Sequence, residues 1–306
     1  MIRLNLLLSF LLLLLTFSVE AKSPPPGTGK ADVPANILIM LDTSGSMGAR
    51  TSSSLRMYYP VDTAVDSQGN IFVVEYNYHR IKKYNASGSL LKTIGGYGAS
   101  NGRFRYPKKI DIDANDNIYV SDHYNGRVQK FNSSGRWVAS YTGLSLIDSV
   151  TVDSNGFVYG SNKSIIRKWS NNGAYVNQWN VRYTSSWSGL SEYNGSIYRS
   201  TGYNKVIDKY SNLGILEDSW STSNYAYPYD IEVNANGVYV ANVYHYVQKY
   251  SHSGTYAMQW GGYGTGNSNF RYVHGIGADS AGNIYAADYY NHAIKKFDSS
   301  GTYVSS

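Results

Sequence analysis

The chain predicts an all-β fold, a six-bladed β-propeller of four-stranded antiparallel blades, and three observations predict it. An aromatic at one strand position recurs as Phe72, Tyr119, Tyr159, Tyr198, Tyr239 and Tyr285, at spacings of 47, 40, 39, 41 and 46 residues. Repeats of about 40–45 residues with four strands each are the size of one propeller blade. Every repeat also follows one grammar: a strand, an Asp/Asn/Ser/Gly turn, a second strand, a polar-aromatic loop, a third strand, a glycine turn and a fourth strand. Finally, no stretch after residue 21 holds a 3.6-residue apolar period over three turns, which excludes a helical fold.

Taken in order, residues 1–21 read as a signal peptide. Arg3 gives the positive start, residues 6–15 the apolar stretch and Val19-Glu20-Ala21 the small-residue cleavage site. The run is shorter than the about 20 apolar residues that a transmembrane helix needs, so no anchor is expected after cleavage. A secreted, periplasmic or cell-surface location follows. There is no cysteine, hence no disulfide or lipid attachment through one, and the core must supply the stability. Four Asn-x-Ser sequons, at Asn85, Asn132, Asn162 and Asn194, matter only in a eukaryotic secretory route.

Residues 22–35 form a Pro/Gly linker. Residues 36–58 open with an apolar strand, Asn36-Ile37-Leu38-Ile39-Met40-Leu41, followed by Asp42-Thr43-Ser44-Gly45-Ser46. Residues 59–306 are the propeller. Its first blade reads as an apolar strand, the turn Asp66-Ser67-Gln68-Gly69-Asn70, the strand 71–75, the strand 81–84 and the strand 90–95. The turns are rich in Asn, Asp, Ser and Gly because hairpins need residues that tolerate positive φ. The strands are β-branched and aromatic, as half-buried sheet requires. The last repeat stops inside its fourth strand. Arg56-Met57-Tyr58-Tyr59-Pro60 aligns with Arg103-Phe104-Arg105-Tyr106-Pro107, the end of a blade-joining loop. Both ends of the propeller are therefore expected near one inter-blade connection, as in a domain inserted into a longer protein.

The residues carry two resemblances. The stretch Ile284-Tyr285-Ala286-Ala287-Asp288-Tyr289-Tyr290-Asn291-His292-Ala293-Ile294-Lys295-Lys296-Phe297 resembles an NHL repeat, named for its Asn-His-Leu signature, and residues 95–104 and 261–270 resemble that family's linker between blades. The likeness is strong in repeats one, two and six and fades in three and four. It implies a binding platform in most members and a lyase-like enzyme in a few. The segment 36–46 is similar to the opening strand and metal site of a von Willebrand A domain, as in pilus-tip adhesins of the PilY type. That resemblance implies magnesium held by Asp42, Ser44 and Ser46, hard oxygen ligands at alternate positions. Most of such a domain, with its later Thr and Asp ligands, has no room before residue 59, so the segment is expected to be truncated or interrupted.

In a propeller the loop after the second strand and the loop joining blades open on the same face. Of the 31 tyrosines, Tyr76, Tyr78, Tyr124, Tyr203, Tyr244, Tyr289 and Tyr290 fall in the first loop type; Tyr97, Tyr106, Tyr225, Tyr227, Tyr229, Tyr263 and Tyr272 fall in the second. Tyrosine offers a flat apolar ring with a polar rim at low entropic cost, so it stacks on sugars or grips peptide side chains. Tyr106 and Tyr272, just before the innermost strand, are expected to be structural.

His79, His123, His245 and His292 lie in the same loops, His79 and His292 at the signature position and the other two offset from it; no three-ligand zinc pattern emerges. Asp111-x-Asp113-x-Asn115-x-Asn117 resembles a calcium loop but lacks its glycine and closing glutamate, and reads as a hairpin. Lys83, Lys130, Lys168, Lys209, Lys249 and Lys296 recur just before an aromatic, as stems covering blade edges with ammonium groups in solvent.

The formal charge is +6, from 27 Lys/Arg and 21 Asp/Glu, without a basic block; clustered cations of the kind nucleic acids need are not expected. The reading is a binding protein for an extracellular glycan or protein ligand. The alternatives are a metal-dependent lyase or hydrolase on the same fold, and a scaffold or front part of a longer adhesin.

Overall fold

The computed structural model describes residues 57–304 apart from 185–186 and 223–225. Blade one is β1 (Pro60–Val65), β2 (Ile71–Glu75), β3 (Arg80–Tyr84) and β4 (Leu90–Gly95); blade two is β5 (Pro107–Ile112), β6 (Ile118–Asp122), β7 (Arg127–Phe131) and β8 (Trp137–Thr142). Blade three is β9 (Ser149–Val152), β10 (Val158–Ser161), β11 (Ile165–Trp169) and β12 (Tyr175–Asn180); blade four is β13 (Leu190–Tyr193), β14 (Ser196–Ser200), β15 (Val206–Ser211) and β16 (Leu216–Ser221). Blade five is β17 (Pro228–Asn234), β18 (Gly237–Asn242), β19 (Tyr246–Tyr250) and β20 (Tyr256–Gly261), and blade six is β21 (Val273–Ala278), β22 (Ile284–Asp288) and β23 (Ala293–Phe297). The sheets are antiparallel meanders, four-stranded in blades one to five. In blade six, the fourth strand begins with a bridge between Phe297 and Tyr303. Among the described residues helix is confined to single 3-10 turns such as 76–78 and 289–291.

The turns form as their side chains dictate. Asp66 Oδ1 accepts the N–H of Gln68 and of Asn70, at 3.1 and 2.8 Å. Asp113, Asp153, Asp279 and Asp298 do the same in their own turns. These are Asx turns, in which a carboxylate replaces the ladder partners that the backbone lacks at a reversal. The segment from Asp111 is accordingly a β5–β6 hairpin.

Hydrophobic clusters fill each of the six blade junctions. Val61, Phe72 and Val74 meet Ile110, Ile118 and Val120 between blades one and two. Met57, Ile71 and Val73 meet Tyr285, Ala287 and Ile294 between blades six and one, so the ring closes on itself. The recurrent lysines belong to this packing. Each sits directly across from the repeat aromatic: Phe72 with Lys83, Tyr119 with Lys130, Tyr159 with Lys168, Tyr198 with Lys209, Tyr239 with Lys249 and Tyr285 with Lys296. The ammonium groups lie 4.8–5.6 Å from those ring centroids. Lys130, Lys168 and Lys296 are buried, which corrects the solvent-facing expectation. A cation over a ring gains about 0.5–2 kcal/mol, more where water is excluded, so the charge is worth covering.

Each innermost strand pairs on one side only, leaving an edge toward the axis whose N–H groups need acceptors. Side chains of the preceding blade supply them. Asp62 accepts Ile110 N–H at 2.8 Å, Asp111 accepts Val152 N–H at 2.9 Å, and Ser149 accepts Leu190 N–H through Oγ at 2.9 Å. Ser191 accepts Val233 N–H at 3.0 Å and Asp230 accepts Ile276 N–H at 2.9 Å. The junction of blades six and one works differently. There Gly275 and Gly277 let β21 approach β1 so closely that a methyl group at 275 would run into Val61 O and Asp62, and one at 277 into Thr63 O.

Gly275→Ala should therefore destabilise the protein by about 2–3 kcal/mol, the cost of overpacking against backbone. Gly102→Ala, which meets nothing within 4 Å, should cost only the strain of its φ of +78°, about 1 kcal/mol. Chemical denaturation of the two variants checks the difference.

Candidate functional site

Strand order sorts the connections by end. The β1–β2 and β3–β4 type turns lie at one end of the ring; the β2–β3 type loops and the blade-joining segments lie at the other, the loop end. The predicted tyrosines gather at the loop end. Tyr97 and Tyr263 are 65% and 70% exposed, and Tyr78, Tyr124, Tyr203, Tyr244 and Tyr290 are also open to solvent. Tyr76, Tyr227 and Tyr289 are half-buried. Tyr225 lies outside the described residues, as do Asp42, Ser44 and Ser46. The rings touch in pairs across neighbouring loops, Tyr58 with Tyr78, Tyr106 with Tyr124 and Tyr272 with Tyr290 at 5.2 Å, and Tyr203 with Tyr227 at 5.0 Å.

Histidines hold these loops. The Nδ1 of His79 accepts Tyr106 N–H, that of His245 accepts Tyr272 N–H, and that of His292 accepts Tyr59 N–H, each at 3.0 Å. The three histidines share a left-handed φ of 55–75°. His245 therefore does the same work as His79 and His292 and is not offset, and the backbone N–H groups of Tyr106 and Tyr272 are the partners of His79 and His245. An accepting nitrogen must be unprotonated. Burial, and then Arg105 or Arg271, lowers the pKa of His79 and of His245. Where blades three and four lack the histidine, Asn162 Oδ1 accepts Ile165 N–H and Thr201 Oγ1 accepts Val206 N–H. His123 differs: its Nδ1–H donates to Ile147 O at 3.0 Å, and burial and Lys108 lower its pKa to about 4.

Toward the axis lies a group that sequence reasoning missed. Trp187, on the segment joining blades three and four, reaches across the mouth. Its ring is 5.4 Å from that of Tyr76 in blade one, 5.2 Å from that of His274 in blade six and 4.7 Å from the Lys108 ammonium in blade two. His274 stacks on Tyr289 at 4.4 Å, and burial plus Lys109 push its pKa down to about 3, so it is a neutral imidazole. Lys108 pairs with Asp148 at 2.5 Å. Lys109 reaches Asp230 at 2.7 Å, Asp62 at 3.7 Å and the carbonyl of His274 at 3.4 Å, tying blade two to blades five, one and six. Two adjacent lysines in a strand expected to be buried were the available signal.

Below Lys109 the innermost strands enclose a cavity of about 230 Å³, lined by Asp62, Asp111, Glu192, Asp230 and Glu232 against that one lysine. Burial pushes Asp111 up to about 6 and raises Glu232 well above the carboxylate range, with the neighbouring Asp111 and Asp230 adding to the latter. Among the described residues no three His, Cys, Asp or Glu side chains converge as a metal-binding set.

The ends also differ in charge. Between strands, the loop end carries Arg103, Arg105, Lys163, Arg182, Lys205 and Arg271 and a single carboxylate, the buried Asp148. The turn end carries Arg136 alone against Asp66, Asp113, Asp116, Asp153, Asp279 and Asp298. The mild positive charge that looks thinly spread along the sequence is sorted by the fold.

Residues 57–84, 104–131 and 270–297 match the NHL repeat. The chain carries NHL repeats. Each matched segment spans an innermost strand, its Asx turn and the β2–β3 type hairpin up to the lysine–aromatic pair, and two of them include the Nδ1-accepting His79 and His292. No curated protein matches the chain. Among solved structures, a streptogramin B lyase superposes with a TM-score of 0.61 at 12% identity, covering 79% of this chain and 93% of that one. Virginiamycin B lyase from Staphylococcus aureus, selenomethionine-substituted, gives 0.58 at 11% identity over 79% of this chain and 86% of that one. A catalytically inactive histidine-to-alanine variant of the Staphylococcus aureus lyase with quinupristin gives 0.61 at 12%, over 80% and 82%. At these identities the likeness is one of fold.

Two outcomes follow for the NHL ring. Lys109→Met should cost about 3–5 kcal/mol at pH 7.5, since Asp62 and Asp230 are left buried without their cation. The loss should shrink by pH 5, since burial raises the Asp62 carboxyl well above the usual carboxylate range and favours its neutral form, and denaturant titrations at the two pH values measure it. His123 too loses its contribution toward acid. Its folded pKa lies below the about 6.5 of an unfolded chain, so its contribution is full above pH 6.5 and is lost as pH falls from 6.5 toward 4. His123→Gln should accordingly show a smaller fall in thermal midpoint between pH 7 and pH 5 than the wild type.

Proposed function

We propose that this chain is a secreted or surface-associated binding propeller that takes a glycan or protein ligand on its tyrosine-lined loop end. The observation that carries the reading is the set of exposed tyrosines at one end, held by backbone-anchored loops rather than by the rings' own burial. Rings that are open and already positioned bind without a large ordering cost. The signal-like residues 1–21 support an extracellular partner. The motif Asp42, Ser44 and Ser46 adds a proposed magnesium site, to be tested by repeating the binding with a chelator.

The experiment is binding of purified protein to a mixed array of glycans and envelope proteins. Tyr97→Ala with Tyr263→Ala should weaken the selected ligand about 10-fold or more, at about 1 kcal/mol per stacked ring, with an unchanged thermal midpoint. Wild-type affinity in that double variant would remove the tyrosine end from the account.

A second reading, a lyase acting at the axis, is favoured by the neutral His274 beneath Trp187 and by the likeness in fold to streptogramin B lyases. Turnover of a streptogramin that is abolished in His274→Ala would establish it; absence of turnover by the wild type would remove it.

A further inference from the structure

We propose that the loop end binds a polyanionic saccharide, a chain whose sugars carry carboxylate or sulfate groups. This deepens the binding reading above and rests on it. In the segments between strands the two ends differ six cations to one carboxylate against one to six, while the loop-end strand termini Glu75, Asp122 and Asp288 are buried and paired with Arg80, Arg127 and Lys295; only one side of that difference has a structural cause. Five of the six turn-end aspartates are turn formers, each accepting backbone N–H groups of its own reversal. Arg103, Arg105, Lys163 and Arg271 form no turn of this kind. Among the described residues no carboxylate stands within ion-pair distance of Arg103, Arg105, Lys163 or Arg271, while Arg182 lies 3.6 Å from the buried Asp208. Arg103 and Arg105 are exposed and Lys163 and Arg271 half-exposed. Uncompensated like charges repel, so their collection on one face costs stability unless a partner neutralises them.

The arrangement favours sugars among the polyanions. The cations come from separate loops around the ring, in blade connections 96–106, 181–189 and 262–272 and in the loops at Lys163 and Lys205, and tyrosines lie between them. Arg105 sits 5.9 Å over the Tyr97 ring and Lys205 5.0 Å over the Tyr227 ring, so charge and flat face are presented together. A sugar bearing one acid group offers the complement, an apolar ring face for stacking and one anion at its rim. A nucleic acid calls for cations clustered along one stripe, one for each phosphate it engages. Among the described residues the turn segments carry Asp113, Asp116, Asp153 and Asp298 outside any ion pair and only Arg136 as a cation, so they attract the same polymer less.

The test measures binding of the full chain to polygalacturonate, dextran sulfate, neutral dextran and poly(U). Polygalacturonate or dextran sulfate should bind at least about 10-fold tighter than dextran and weaken about 10-fold between 50 and 500 mM salt, as exposed charges are screened. Whichever of the two binds better tells carboxylate from sulfate. Arg105→Gln with Arg271→Gln should reduce that affinity about 10-fold at an unchanged thermal midpoint, and Lys163→Gln gives an independent second position. Equal, salt-insensitive binding of dextran and the acidic polymers overturns this inference and leaves the binding reading standing. Tighter binding of poly(U) than of either acidic polysaccharide overturns it in favour of nucleic acid. Failure of every saccharide overturns it too, and failure of the protein array as well overturns the binding reading with it.

Discussion

Closing six sheets around one axis without leaving a free edge is the constraint on which the rest of this structure depends. Innermost strands cannot pair with each other at the spacing of a packed ring, so their axis-facing N–H groups must find other acceptors. Asp62, Asp111, Ser149, Ser191 and Asp230 provide them one blade at a time. The solution fills the axis with carboxylates, and the Lys109 ammonium spans the channel to offset two of them. At the sixth junction the chain uses the absence of side chains instead, with Gly275 and Gly277 against the backbone of β1.

The two ends of the ring inherit different chemistry from the two kinds of connection. Tight hairpins between paired strands need acceptors close to their own backbone, which aspartate supplies, and the turn end becomes acidic. Three of the longer connections at the other end are held by histidine nitrogens that accept a distant backbone N–H, together with the buried strand-end carboxylates of Glu75, Asp122 and Asp288, so their own residues need not be acidic. They are free to carry tyrosine, arginine and lysine toward solvent. Fold maintenance and recognition thus use separate residues on the same loops.

Much of this was legible in the sequence because a propeller repeats locally. Phe72, Tyr119 and Tyr285 announce blades through their spacing, and Asp66 and Asp279 announce turns through short-range hydrogen bonds. The recurring lysines were visible too, but their place was misjudged. A strand pattern gives the face on which Lys130 points, whereas the cross-strand Tyr119 ring that covers its ammonium comes from the register. His245 was set aside because its loop is one residue shorter than that of His79, yet the same left-handed backbone brings its Nδ1 to Tyr272.

By itself, the sequence determined the blade count, the meander order and the gathering of tyrosines at one end, since these follow from period, turn residues and loop class. Only the tertiary structure decided what meets at the axis. Lys109, Asp62, Asp230, Trp187 and His274 are brought together from five blades or their connections, and no local pattern encodes a meeting across the ring. The charge division between the ends was likewise hidden, because loops of the two ends alternate along the chain and the strands between them carry charges of their own. They separate only when the meander sends every second connection to the opposite end.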